Sequence, residues 1–235
     1  HNEIGKVYKP DYTVLGDARL AVSELNKVLA KKLGQVSKKI IDRDKWYDKP
    51  VDYHGNKIHP AEMVRLISKN LPKDSIIIGD AGAHMLWLNC FLNLSKNQRY
   101  QNPGSFGPMA SMVNGAIGIK CAHPDKHVIS ACGDGGYLMV GFELLTAVQY
   151  NIPRIWGIFN NGEFNIIKQF LLRLFGQAPM MQFLNPDYVM FAKACGARAF
   201  RVDKLDEFEG VFKNALSLNK PVLIDVIVEE NVYPP

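Results

Sequence analysis

The sequence predicts an α/β fold in which a parallel sheet is covered by helices on both faces, preceded by a partial segment of another domain. Short, nearly continuous apolar runs of strand length alternate with stretches of helical period from residue 75 to 228, the pattern of strands buried on both faces. Three of those runs end in small or oxygen-bearing residues: Asp80-Ala81-Gly82-Ala83-His84, Gly133-Asp134-Gly135-Gly136 and Asn160-Asn161-Gly162-Glu163. In a parallel sheet these ends share one edge, where ligands bind. A third observation divides the chain. Residues 47–58 are polar and carry Pro50 and Gly55, so they read as a linker between a remnant over 1–46 and a domain over 59–235.

Within the remnant, YTVLG over 12–16 reads as a strand and DARLAVSELNKVLAKKL over 17–33 as a helix capped by Asp17 and ending at Gly34. Strand plus helix is too little to fold alone. Beyond the linker, Pro60 suits the first turn of a helix running to Asn70. Strands are then expected at 75–80, 127–132, 154–159, 198–202 and 221–228. Helices are expected at 84–94, 111–122, 137–150, 164–174, 186–195 and 205–218.

Composition narrows the function classes. Of 235 residues, 47% are hydrophobic and 22% charged, ordinary for a globular chain. No apolar stretch approaches the roughly 20 residues of a membrane span. Residues 1–10 lack the basic start and apolar centre of a signal peptide, and the chain does not begin with Met, so a processed product or a piece of a longer protein is expected. Cys90, Cys121, Cys132 and Cys195 are widely spaced and form no CxxC pair, which argues for buried thiols in a reducing cytoplasm rather than a zinc site or disulfides. The net charge of +5 sits on helical lysines without aromatic interleaving, so nucleic-acid binding is not expected. His54, His59, His123 and His127 read as surface residues. Met85 and Trp87 read as packing, and Glu229-Glu230-Asn231 as a solvated strand end.

The chemistry concentrates on the strand ends. Glycine at 133, 135 and 136 lets backbone approach a ligand, and N–H groups opening the next helix favour an anion, most naturally phosphate. Asp134 and Asn161 supply hard oxygens suited to Mg²⁺ held together with phosphate. The spacing reads as a magnesium–diphosphate clamp. A P-loop is excluded because no GxxxxGK[ST] is present, and a dinucleotide fingerprint because the third glycine is missing.

GDG at 133–135 followed by NN at 160–161 resembles the thiamine-diphosphate signature. The surrounding HPDKHVISACGDGGYLMVGFELLTAVQYNIPRIWGIFNNGEF is similar to the cofactor-binding (PP) domain of the acetolactate synthase, pyruvate oxidase and decarboxylase superfamily. The opening DYTVLGDARLAVSELNKVL is similar to the end of that family's central domain, which binds FAD in some members. The resemblance implies a thiamine-diphosphate-binding fold. It implies that Asp134 and Asn161 give side-chain ligands to Mg²⁺ and Glu163 its backbone carbonyl. Gly133, Gly135, Gly136, Asn165 and Ile166 would surround the diphosphate, with His84 approaching from the first strand end. Met109, 25 residues before Asp134, stands where the family places the residue that props the cofactor into its bent form, and Gly107 would offer its carbonyl to the aminopyrimidine.

The activity so implied is decarboxylation of a 2-oxo acid and transfer or ligation of the two-carbon enamine. Three positions depart from the family pattern: Ala83 replaces a glutamine, Asn114-Gly115 a Pro-Ala pair and Phe170 a tryptophan. The family's activating glutamate belongs to a pyrimidine domain not contained in these residues. The chain is therefore expected to be a fragment whose site is completed by a pyrimidine domain of the same or another chain, in a cytoplasmic homodimer or tetramer. A separate PP-type subunit of a split decarboxylase and a non-catalytic cofactor-binding module are the alternatives.

Overall fold

A computed structural model of the chain describes residues 3–30, 51, 53–104 and 106–234. The chain divides into two compact units, His1–Trp46 and Tyr47–Pro235.

In the first unit the described residues hold one helix, α1 (Ala18–Leu29), with Asp17 as its cap accepting from Leu20 N–H at 3.0 Å. Its apolar side chains Leu20, Val22, Leu25 and Val28 are all more than half exposed. The strand expected over 12–16 does not form. A strand needs a neighbour to take its backbone hydrogen bonds, and the described residues of this unit offer none. The expected helix end at 30–33 falls partly outside the described residues.

The second unit is built on six parallel strands: β1 (Ile76–Gly79), β2 (Arg99–Gln101), β3 (Val128–Gly133), β4 (Ile155–Asn160), β5 (Arg198–Val202) and β6 (Val222–Ile227). Their order is β2-β1-β3-β4-β6-β5. Alternate residues of each strand supply the two faces. In β4, Ile155 and Phe159 join one core with Val222, Ile224 and Val226, while Trp156 and Ile158 join the other with Cys132 and Leu223. Burial on both sides is why these strands read as nearly unbroken apolar runs. On the first face pack α2 (Pro60–Asn70), α3 (Ala83–Phe91) and α9 (Leu205–Ser217). On the second lie α4 (Ser111–Ala122), α5 (Asp134–Val140), α6 (Leu144–Gln149) and α8 (Tyr188–Ala194); α7 (Asn165–Phe175) follows β4.

Differences from the sequence reading have local causes. The helix expected over 137–150 begins at Asp134 and breaks into a 3₁₀ turn at Gly141–Glu143. A side chain at Gly141 would meet the Tyr137 ring at 2.5 Å, so glycine at the break makes room for that ring. Strand β2 leaves no signal in the sequence because it is a three-residue edge strand with only its middle residue, Tyr100, partly buried. His59 is buried, not exposed: its Nδ1 accepts from Ala61 N–H at 3.2 Å and caps α2. Glu229 and Glu230 are half-buried; Glu229 accepts from Tyr53 Oη at 2.7 Å and Glu230 pairs with Lys57 at 2.7 Å. All four cysteines are free, but only Cys132 is fully buried and Cys121 is exposed. Among the described residues, no helix is long and apolar enough to cross a membrane.

Candidate functional site

The register brings the strand ends into step. Gly79 lies beside Ala131, Gly133 beside Phe159, and Asn160 beside Ile227. The residues that follow therefore emerge along one edge, and there they line a cleft of about 320 Å³. His84, Gly107, Met109, Gly133, Asp134, Gly135, Gly136, Asn161, Glu163, Asn165 and Ile166 all line this one cleft. Sequence reasoning missed others on its wall: Phe159, Phe164, Ile167, Glu229 and Val232. The apolar ones carry no signal to separate them from the core, and Glu229 reads as part of a solvated strand end. Met85 and Trp87 also touch the cleft, and Trp87 is at the same time buried against Phe91 and His59.

Asp134 opens α5 and is 2% exposed. Its Oδ1 accepts from its neighbour Gly135 N–H at 2.9 Å. Its Oδ2 accepts from Gly162 N–H at 2.6 Å, Asn161 N–H at 3.2 Å and Asn185 Nδ2 at 2.8 Å. Burial raises its pKa above the ordinary carboxylate value, and these donors oppose the rise. No lysine, arginine or histidine among the described residues forms an ion pair with it. A buried carboxylate lining a cleft without a cation is suited to a metal ion. The neighbouring donors fit the same use. Asn161 Oδ1 accepts only a 3.3 Å contact from Glu163 N–H, and the Glu163 carbonyl accepts from Asn165 N–H at 2.9 Å with one lone pair left. No group of three or more His, Cys, Asp or Glu residues able to hold a metal occurs among the described residues, so a metal at Asp134 would take its further protein ligands from amide and carbonyl oxygens.

The Glu163 side chain turns away from this role. It is buried between Lys168 Nζ at 2.7 Å and Asn165 Nδ2 at 2.7 Å. Asn165 Nδ2 also donates to the Glu230 carbonyl at 2.6 Å. These bonds tie the start of α7 to the chain end over 229–231. Because the N–H groups of Gly135 and Asn165 already have acceptors, the helical N–H groups best placed for an anion are those of Gly136 and Ile166, early in α5 and α7, where no intrahelical acceptor exists.

His84 is 5% exposed, and its Nε2 is buried without a hydrogen-bond partner. Burial lowers its pKa to about 4, although a hydrogen bond to the Asp80 backbone acts in the opposite sense. The folded state therefore holds a neutral ring that the unfolded chain would protonate near pH 6.5. With the folded pKa below the unfolded one, stability is intact above pH 6.5 and falls as pH drops toward 4. The loss reaches about 3 kcal/mol at the low end. Urea melts of ligand-free protein between pH 7.5 and 4 are expected to show this slope, and His84→Phe to remove it.

Asp80 is not among the residues that line the cleft. It is fully buried, its Oδ2 accepts from Ala110 N–H at 2.7 Å and its Oδ1 from Met112 N–H at 3.0 Å. It thereby caps α4 and holds Ala110 at a positive φ of 71°, which sets the neighbouring Met109 at the cleft. A side chain on Gly136 would meet Asp80 Oδ2 at 2.7 Å; here glycine is required by close approach.

Residues 80–226 match the family model described as thiamine pyrophosphate enzyme, C-terminal TPP binding domain. The chain belongs to this family. Among curated relatives, the probable acetolactate synthase large subunit of Methanocaldococcus jannaschii is 29% identical over 245 residues, covering 97% of this chain and 40% of that protein. The acetolactate synthase large subunit of Corynebacterium glutamicum is 29% identical, the alignment covering 99% of this chain and 40% of that protein. The chloroplastic acetolactate synthase of Arabidopsis thaliana is 28% identical, covering 99% and 37%. Among solved structures, the thiamine diphosphate-dependent 4-hydroxybenzoylformate decarboxylase of Rhodococcus jostii RHA1 superposes with a TM-score of 0.75 at 26% identity, covering 89% of this chain and 40% of that one. The thiamine-diphosphate-binding fold is thus shared. The chain spans about two-fifths of the length of these relatives.

Proposed function

We propose that this chain is the cofactor-holding half of a thiamine-diphosphate enzyme that decarboxylates 2-oxo acids and transfers or ligates the resulting two-carbon unit. The observation that carries the reading is the juxtaposition of Asp134 and Asn161, unpaired with any cation, beside glycine-lined backbone in the cleft at the sheet edge. In this reading Asp134, Asn161 and the Glu163 carbonyl hold Mg²⁺, and the N–H groups of Gly136 and Ile166 hold diphosphate oxygens. His84 closes the diphosphate end. Met109 and the Gly107 carbonyl support the organic rings. The bound cofactor supplies a carbanion and an electron sink for the reaction; the chain's own groups orient it and shield it from water.

The surroundings support completion by a second domain. The side chains of Phe106, Phe170, Met180 and Leu184 are 60–96% exposed, and Ile167, Leu174 and Phe175 of α7 are half or more exposed. A pyrimidine domain of the same or another chain, in a homodimer or tetramer, would bury such a surface and contribute the activating glutamate. FAD bound by the preceding central domain is part of the same family-based proposal, as is a cytoplasmic setting.

The test is CO₂ release from a panel of 2-oxo acids by the full gene product. Release that needs both thiamine diphosphate and Mg²⁺ is expected; a full-length protein that binds the cofactor but decarboxylates none of the panel would favour the non-catalytic alternative.

A further inference from the structure

We propose that Asn185 is a positioning residue that decides which oxygen of Asp134 meets the metal. The inference rests on the reading of Asp134 as a Mg²⁺ ligand. Asn185 lies in the loop before α8, 51 positions after Asp134, and nothing in the strand-end motifs points to it. Its Nδ2 donates twice, to Asp134 Oδ2 at 2.8 Å and to Asn160 Oδ1 at 2.8 Å. Its Oδ1 accepts from Tyr188 Oη at 2.8 Å. Both partners of the nitrogen are oxygens, one of them a carboxylate, so the amide has only one sensible orientation.

The consequence falls on Asp134. With Gly162 N–H, Asn161 N–H and Asn185 all on Oδ2, that oxygen has three donors and little capacity left. Oδ1 has a single donor, Gly135 N–H, and remains able to bind a cation through one oxygen. The anchor behind Asn185 is itself hydrogen-bonded. Asn160 Nδ2 donates to Asp225 Oδ1 at 2.8 Å, Asp225 is fully buried in β6, and its Oδ2 accepts from Arg201 Nε at 3.0 Å. An unbroken series of side-chain hydrogen bonds thus runs from Arg201 through Asp225, Asn160 and Asn185 to Asp134. Only an amide meets the demand at 185, because one end must give two hydrogen bonds and the other must accept one. An aspartate there would set a second carboxylate against Asp134, and a leucine would leave Oδ2 held only by the Gly162 and Asn161 N–H groups, with capacity to turn toward the metal.

The loop itself is held without Asn185. Phe183 N–H donates to the Gly162 carbonyl at 3.0 Å and Phe164 N–H to the Met181 carbonyl at 2.9 Å. A role in merely fastening the loop and a role in aiming Asp134 therefore predict different results. The experiment titrates Mg²⁺ into metal-free full gene product at saturating thiamine diphosphate, for wild type, Asn185→Leu, Asn185→Asp and Tyr188→Phe, with melting of the metal-free forms alongside. Partners of a metal ligand typically set affinity by about 10- to 100-fold. Asn185→Leu and Asn185→Asp are expected to raise the Mg²⁺ half-saturation concentration by that factor while metal-free melting shifts little. Tyr188→Phe, which removes the hydroxyl that fixes the amide at 2.8 Å and also reaches the Asp134 carbonyl at 3.2 Å, is expected to raise it less, by roughly 3- to 10-fold. If the position-185 variants melt much earlier, Tyr188→Phe is read in their place, and wild-type-like Mg²⁺ affinity there overturns the role, since its hydroxyl touches both the Asn185 amide and the Asp134 carbonyl. Wild-type-like Mg²⁺ affinity in both Asn185→Leu and Tyr188→Phe, with affinity lost in Asp134→Ala, overturns the positioning role and leaves the clamp standing. Absence of Mg²⁺-dependent cofactor binding in the wild type overturns the clamp and this inference together.

Discussion

Asp134→Ala is expected to abolish Mg²⁺-dependent binding of thiamine diphosphate, weakening it by roughly two orders of magnitude or more, beyond the effect of removing a ligand's partner. The substitution removes the only carboxylate among the proposed metal ligands and strands four N–H donors: those of Gly135, Asn161 and Gly162, and Asn185 Nδ2. The two consequences are separable. A ligand that binds only the folded state raises its stability, so the wild type should melt later with cofactor and Mg²⁺ while the variant shows no shift. Asp134→Asn preserves the shape and is expected to behave the same way toward the metal, since an amide oxygen is a weaker partner for Mg²⁺ than a carboxylate. Melting curves with and without cofactor and metal check both variants; a retained Mg²⁺ shift in Asp134→Ala would remove this residue from the metal site.

The second large effect is expected at Asp80, which touches no proposed metal ligand. Asp80→Ala leaves the N–H groups of Ala110 and Met112 without their acceptor in a buried setting. Two unsatisfied groups cost about 2–6 kcal/mol, and the positive φ at Ala110 loses the bonds that maintain it. Chemical denaturation should show the loss of stability. Cofactor affinity should fall as well, because Met109 is carried by the same turn, yet the dependence on Mg²⁺ should survive. That pattern, weaker binding with intact metal dependence, separates Asp80 from Asp134. An Asp80→Ala protein with wild-type stability would show that the turn is held by something other than this carboxylate.

Much of this arrangement was legible in the sequence because the strand ends carry residue types that cores reject. Gly-Asp-Gly-Gly and Asn-Asn-Gly-Glu interrupt apolar runs, and parallel pairing then puts them on one edge without further information. Short-range signals also worked at Pro60, where helix α2 runs to Asn70 as expected, and at β5, which spans 198–202. What could not be read depends on closure over long separations. Asn185 and Asp80 reach their partners across 51 and 30 positions, and nothing in either local sequence identifies those partners. His59 and Glu229 look like surface residues by type, and they are drawn inward only because the segment before α2 packs beside the end of β6, where Ile58 pairs with Val228. The strand expected at 12–16 illustrates the converse: apolar alternation cannot make a strand without a neighbour.

The measurement that bears most directly on the account is calorimetric titration of thiamine diphosphate into the full gene product, with Mg²⁺ and again with the metal chelated. The account predicts saturable one-to-one binding in Mg²⁺ that is strongly weakened by chelation, because Asp134, Asn161 and the Glu163 carbonyl act on the diphosphate only through the ion. Binding of equal strength without metal would contradict the clamp, and so would a full-length protein that fails to bind the cofactor in either condition.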